Sequence, residues 1–109
     1  MPFPNAEHAV IAEEKIRDYL LNARHPVGGP KAVWFAAIGY RTENWQDLAN
    51  DLLQVARTSE DFLAKSSPFG VKYEVSGVLG RPGFQPALVQ SVWIVEENDW
   101  PRLVTAYPG

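Results

Sequence analysis

The chain has 109 residues, 46 % hydrophobic and 21 % charged, with no cysteine and a formal charge of −3. That length fits one domain, spanning 1–109, and the ordinary composition excludes extended disorder away from the ends. Without cysteine, disulfides, thiolate metal sites and cysteine nucleophiles are excluded, and the acidic balance counts against a module that grips duplex DNA by its phosphates.

Pro2 and Pro4 keep the start of the chain extended. Met1 to Asn5 shows neither the basic region nor the apolar run of a signal peptide, so a reducing cytoplasm is the expected compartment. A short strand is possible near His8 to Ile11. A first helix is predicted over Ala12 to Ala23, where Ile16, Tyr19, Leu20 and Ala23 recur at helical spacing opposite Glu13, Glu14, Arg17 and Asp18. His25-Pro26 stops it, because the residue before a proline is pushed out of the helical region.

His25 to Lys31 reads as a loop, with Pro30 suited to the first position of a second helix over Lys31 to Ile38. That helix is apolar almost all round, which predicts burial, and Gly39 is its terminator. Ala32 to Gly39, the longest apolar stretch, is too short to cross a bilayer. Asn44 reads as the N-cap of a third helix whose stripe is Trp45, Leu48, Ala49, Leu52, Val55 and Ala56. Ser59 to Leu63 continues that helix or starts a short one, and Ser66 to Gly70 is a break.

From Val71 the period becomes two. Strands are predicted over Val71 to Leu79, Leu88 to Glu96 and Arg102 to Tyr107, joined by Arg81 to Pro86 and by Glu97 to Asp99. The expected class is α+β: about three N-terminal helices packed on one face of a C-terminal antiparallel meander of three or four strands. The expected core is Tyr19, Leu20, Trp34, Phe35, Ile38, Leu48, Leu52, Tyr73, Val75, Val92 and Trp93. Tyr40 and Trp100, beside turns, are open to exposure.

No phosphate loop, no His-Glu-x-x-His and no Gly-x-Ser-x-Gly is present, and two histidines cannot build a multi-histidine zinc site. Glu43, Asp47 and Asp51 read as the solvated face of the third helix rather than a magnesium site. The most unusual segment is the loop from His25 to Lys31. It sets an imidazole and a lysine on either side of Gly28-Gly29, just before a helix N-terminus. Glycines admit a ligand to the backbone, His moves protons near neutral pH, and Lys stabilises developing phosphorane charge. Spacing alone favours a plainer alternative: a helix stop, a tight connection and a solvated lysine. Thr105 and Tyr107 share a strand face and offer two hydroxyls, though both are also simply good strand formers. Arg81 is a further phosphate contact to weigh against an ordinary turn residue.

Taken together, Pro4-Asn5-Ala6-Glu7, Lys15 to Leu21, His25-Pro26-x-Gly28-x-x-Lys31-Ala32, Asn44-Trp45, Trp93 and Arg102-Leu103-Val104-Thr105-Ala106-Tyr107-Pro108 carry a resemblance. The chain looks like an uncharacterised bacterial family of small domains, found alone or at the C-termini of polymorphic toxins. Its layout is also similar to the RelE/barnase/colicin-type ribonuclease superfamily. That resemblance implies a metal-independent endoribonuclease with no cofactor. His25 would be the acid/base, Lys31 the charge stabiliser, and Thr105 and Tyr107 the strand-borne partners; Gly28, Gly29 and Arg81 stand beside them as the candidate substrate contacts read from the residues alone. The implied partners are an RNA substrate and a cognate antitoxin or immunity protein, with no membrane. The alternatives are a non-enzymatic interaction protein, such as an immunity or antitoxin partner, and a small-molecule-binding domain.

Overall fold

The sheet begins nine residues before Val71. In the computed structural model, which describes Met1–Gly109, the strands are β1 (Phe62–Ser67), β2 (Gly70–Leu79), β3 (Ala87–Val95) and β4 (Arg102–Pro108). They form one antiparallel sheet in the order β1-β2-β3-β4, the expected meander. The segment expected to extend the third helix, Ser59 to Leu63, instead leaves the helix and enters β1 at Phe62, and β1 runs on into the expected break as far as Ser67. Tertiary pairing decides this: the Ser59 hydroxyl donates to the Ser76 carbonyl (2.6 Å), and the Ser76 N–H donates to the Asp61 carbonyl (2.9 Å). These bonds draw the chain onto β2 as soon as the helix ends. Near the N-terminus, Val10 makes a single parallel bridge to Arg102 where a short strand was anticipated.

Two α-helices, α1 (Gly29–Ala37) and α2 (Trp45–Thr58), precede the sheet. The first predicted helix is shorter than expected and is a π-helix over Lys15–Leu20, closed by the Leu21 N–H reaching the Ile16 carbonyl five residues back (2.8 Å). Its residues four apart still align. Ile16 and Leu20 are fully buried on one side, while Lys15 sits over the ring of Tyr19 on the other. α1 begins two residues early, with Pro30 inside its first turn, and Gly39 follows it at φ 101°, a conformation that favours glycine. Asn44 is the N-cap residue of α2, as expected, but its side chain makes no capping bond there. Its amide closes the preceding turn, accepting from the Arg41 N–H (2.7 Å) and donating to the Gly39 carbonyl (3.0 Å).

The core lies between the helices and one sheet face. Leu48, Leu52, Val55 and Ala56 of α2 are buried there with Val75, Val89, Trp93, Leu103 and Ala106 of the sheet. α2 approaches β2 so closely that a Cβ on Gly77 would stand 2.5 Å from Val55. Of the expected core, Tyr19, Trp34 and Tyr73 are only half-buried. α1 is not buried all round, since Val33 is 66 % exposed while Phe35 is fully enclosed. Two core residues came without a periodic signal. Phe3 is drawn in by stacking on Tyr73 (4.8 Å between centroids), and Tyr40, left open to exposure by its place beside a turn, is completely buried. Trp100 is half exposed, stacked on His8.

Tyr40 is buried because its hydroxyl is fully used. It donates to Asp51 (2.6 Å) and accepts from the Gly80 N–H (3.2 Å). Arg81 then pairs with the same Asp51 carboxylate (3.3 Å) and lies near Asp47 (3.8 Å). Burial, followed by the Asp51 hydrogen bond and its charge, pushes the Tyr40 phenol above its ordinary 10.0. A raised folded-state pKa stabilises the fold fully below about pH 10 and less as pH rises past it. Thermal melts between pH 8 and 11 are therefore expected to fall more steeply for the native protein than for Tyr40→Phe. Parallel melting curves across that range would contradict this.

Candidate active site

The loop after the π-helix folds back onto it. The His25 imidazole accepts the N–H groups of both Val27 and Gly28 on Nδ1, each at 3.0 Å, and the Gly29 N–H reaches the His25 carbonyl (2.8 Å). With Nδ1 an acceptor twice over, Nε2 is the ring nitrogen left to carry a proton. Both glycines are buried. A Cβ on Gly28 would lie 2.0 Å from the Tyr19 carbonyl oxygen, and one on Gly29 would lie 2.7 Å from that of Ala23. Gly28 and Gly29 therefore do not offer their N–H groups to a ligand. They let the loop press against the helix, and their donors are already engaged.

That close contact sets α1 so that Lys31, in its first turn, reaches across to the last strand. Lys31 Nζ donates to the Tyr19 hydroxyl (2.5 Å) and to Thr105 Oγ1 (2.9 Å), and the two hydroxyls are 3.1 Å apart. Three residues from the π-helix, α1 and β4 thus close a triangle of polar atoms. The ring of His25 stands edge-on to that of Tyr19, 5.0 Å between centroids, so Tyr19 lies between His25 and Thr105. All four residues are half-buried. β4 is an edge strand with a bulge: Thr105 faces Val92 and Leu103 faces Trp93, leaving Val104 unpaired. Bulges re-aim side chains, and this one adjoins Thr105.

The electrostatics of the triangle are unusual. An ammonium at a helix N-terminus opposes the helix dipole, at about 0.3–1 kcal/mol, and the first turn of α1 holds no acid. The side-chain carboxylates that pair with cations do so elsewhere, with Arg17, Lys65, Arg81 and Arg102. Lys31 is held by two neutral hydroxyls and keeps one N–H for something else. Burial tends to raise the Tyr19 pKa. Hydrogen bonds from Lys31 and Thr105, with the charges of Lys31 and Lys15, more than offset it, so the phenol ionises below its ordinary 10.0.

Of the anticipated residues, the structure joins Lys31 and Thr105 directly and sets His25 against the ring of Tyr19, their shared neighbour. Tyr107 lies two residues further along β4, opposite Gln90, and takes no part in the triangle. Arg81 is also outside it, bound to Asp47 and Asp51, which in turn are engaged by Arg81 rather than forming a free acidic face. Tyr19 was read only as core. Its available signal was Lys15 four residues before it on one helical face, together with the rule that a tyrosine near the core needs a partner for its hydroxyl.

The fold is similar to that of a chain in the contact-dependent growth inhibition toxin–immunity protein complex from Klebsiella pneumoniae 342. The two superpose with a TM-score of 0.74 at 16 % identity, over 92 % of this chain and 99 % of that one. No curated protein matches the sequence. No helix is long and apolar enough to cross a membrane. From residue 2 to residue 109 the sequence matches the profile of one family, and the chain belongs to it: DUF6883, a domain of unknown function.

Proposed function

We propose that this is a toxin-like domain acting as a metal-independent endoribonuclease, with Tyr19, Lys31 and Thr105 at its centre and His25 beside them. The observation that carries the reading is the Lys31 ammonium, held by two hydroxyls from distant elements without a carboxylate, next to a phenol of lowered pKa. Such a site lacks an anion, and a phosphodiester supplies one. The Tyr19 phenolate takes the proton of the ribose 2′-hydroxyl, whose oxygen attacks phosphorus. The free N–H of Lys31 holds the non-bridging oxygen where charge grows. The bond to the 5′-oxygen breaks, that oxygen takes a proton from solvent, and a 2′,3′-cyclic phosphate remains. His25 offers its Nε2–H to the phosphate, because its Nδ1 already accepts two backbone N–H groups.

Likeness to a chain of a toxin–immunity complex supports the toxin-like part of the reading and a cognate protein partner. The same likeness, with the net charge of −3, supports the second reading, a partner that binds a toxin without turnover. Incubation of the purified protein with mixed RNA in excess chelator decides between them. The nuclease reading expects fragments ending in 2′,3′-cyclic phosphate, and growth arrest on induced expression. Intact RNA and unaffected growth would leave the partner reading.

A further inference from the structure

A groove of about 390 Å³ opens on the sheet beside the triangle. Lys15 lines it at one end and also lies over the Tyr19 ring (5.3 Å from nitrogen to centroid), so groove and triangle are continuous. Its floor is a cross-strand row in which Lys72 faces Ile94 and Ile94 faces Arg102. Residues opposite one another on neighbouring strands share a face, so the row presents a cation, an apolar side chain and a second cation in sequence. At the far end stands Phe69, 74 % exposed, on the tight turn between β1 and β2. The turn is not loose: Ser67 Oγ donates to the Gly70 carbonyl and accepts the Phe69 N–H.

The lysines gather at the groove. Of the four in the chain, Lys65 pairs with Glu74, whereas Lys15, Lys31 and Lys72 have no carboxylate partner; the unpaired arginines, Arg24, Arg41 and Arg57, lie outside the groove lining. The acid lining the groove, Glu96, is bound to Arg102. Beyond Phe69, Glu96 and Glu97 flank the hairpin tip, which ends the cationic run there. In an acidic protein, unpaired lysines therefore gather along one short path from the triangle to an exposed aromatic ring.

Resting on the nuclease reading above, we propose that this groove holds the single-stranded RNA segment adjoining the scissile phosphate. Lys15 and Lys72 contact its backbone, and a base stacks on Phe69. Single-stranded nucleic acid is bound in this way, by cations that track phosphates and aromatic faces that take unpaired bases. A duplex keeps its bases stacked inside and would leave Phe69 idle, and the small number of free cations suits a short strand.

The test separates binding from cleavage. A fluorescent 2′-O-methyl oligonucleotide of about 6 nucleotides lacks the nucleophile, so its affinity is measured by anisotropy on the intact native protein. Phe69→Ala is expected to raise Kd about 5- to 150-fold, the range for one stacked base. Lys72→Ala is expected to flatten the slope of log affinity against log salt by about 0.7, one phosphate contact. Cleavage of a dinucleoside monophosphate, too short to reach either residue, should be unchanged in both variants. Unchanged oligonucleotide affinity in both variants, no binding at all, or equal binding of a duplex overturns the groove. A native protein that binds the oligonucleotide through Phe69 and Lys72 yet cuts no dinucleotide keeps the groove and overturns the catalytic centre.

Discussion

Tyr19→Phe is expected to lower kcat/KM for RNA by about 10²- to 10⁴-fold, the usual contribution of a positioned acid or base, with little change in thermal stability. The variant keeps the ring that packs beside His25 and loses only the hydroxyl shared with Lys31 and Thr105. The pH profile provides the sharper readout. In the native protein the rate should climb with pH as Tyr19 ionises, with the midpoint of that limb below 10, because the Tyr19 pKa is lowered. That limb should vanish in Tyr19→Phe. In Lys31→Ala it should move to higher pH, since the ammonium supplies both a hydrogen bond and a charge that lower the phenol. The remaining rate should also fall about 10²- to 10³-fold, as expected when one donor to a developing oxyanion is removed. A full-rate Tyr19→Phe enzyme, or a limb that stays in place in Lys31→Ala, would remove Tyr19 from the chemistry.

How much of this site was legible follows from how each residue is held. His25, Lys31 and Thr105 could be singled out because their residue types are chemically conspicuous in a proline- and glycine-rich loop and in a terminal strand. Their convergence could not be read, because it depends on the loop packing onto the π-helix at Gly28 and on the bulge at Val104. Tyr19 was hidden by its own periodicity. It recurs with Ile16 and Leu20 at helical spacing, yet its hydroxyl faces the rim while those two enter the core. Tyr107 and Thr105 do alternate as a strand requires, but the contacts that matter come from the helices, and these reach only Thr105.

The fold was legible where a pattern ran long enough to be unambiguous. The stripe of α2 and the alternation in β2 are of that kind. β1 was not, because Phe62–Ser67 carries no alternation of burial: its four middle residues are all exposed, so only the ladder to β2 makes it a strand. Phe3 and Tyr40 were missed for a related reason. Each is a single aromatic outside any periodic run, recruited by tertiary partners: the rings of Phe62, Tyr73 and Trp93 in the first case, Asp51 and the Gly80 N–H in the second.

The two sides of α1 give the largest expected change in stability. Phe35 is fully enclosed, edge-on to Trp34 (5.0 Å) and near Tyr40 (6.4 Å), whereas Val33 on the same helix is 66 % exposed. Phe35→Ala should therefore cost about 3–5 kcal/mol in transfer energy and cavity, out of a total of about 5–15 kcal/mol for a domain of this size. Val33→Ala should stay within about 0.5 kcal/mol, and Trp34→Ala, half-buried, should fall between them. Chemical denaturation of the three variants decides the matter, and equal losses at Phe35 and Val33 would show that α1 does not bury one side. The consequence extends to the site. Phe35 lies about one turn beyond Lys31, so it anchors the helix that carries the ammonium to Tyr19 and Thr105. Phe35→Ala is expected to lose cleavage together with stability, while Val33→Ala keeps both.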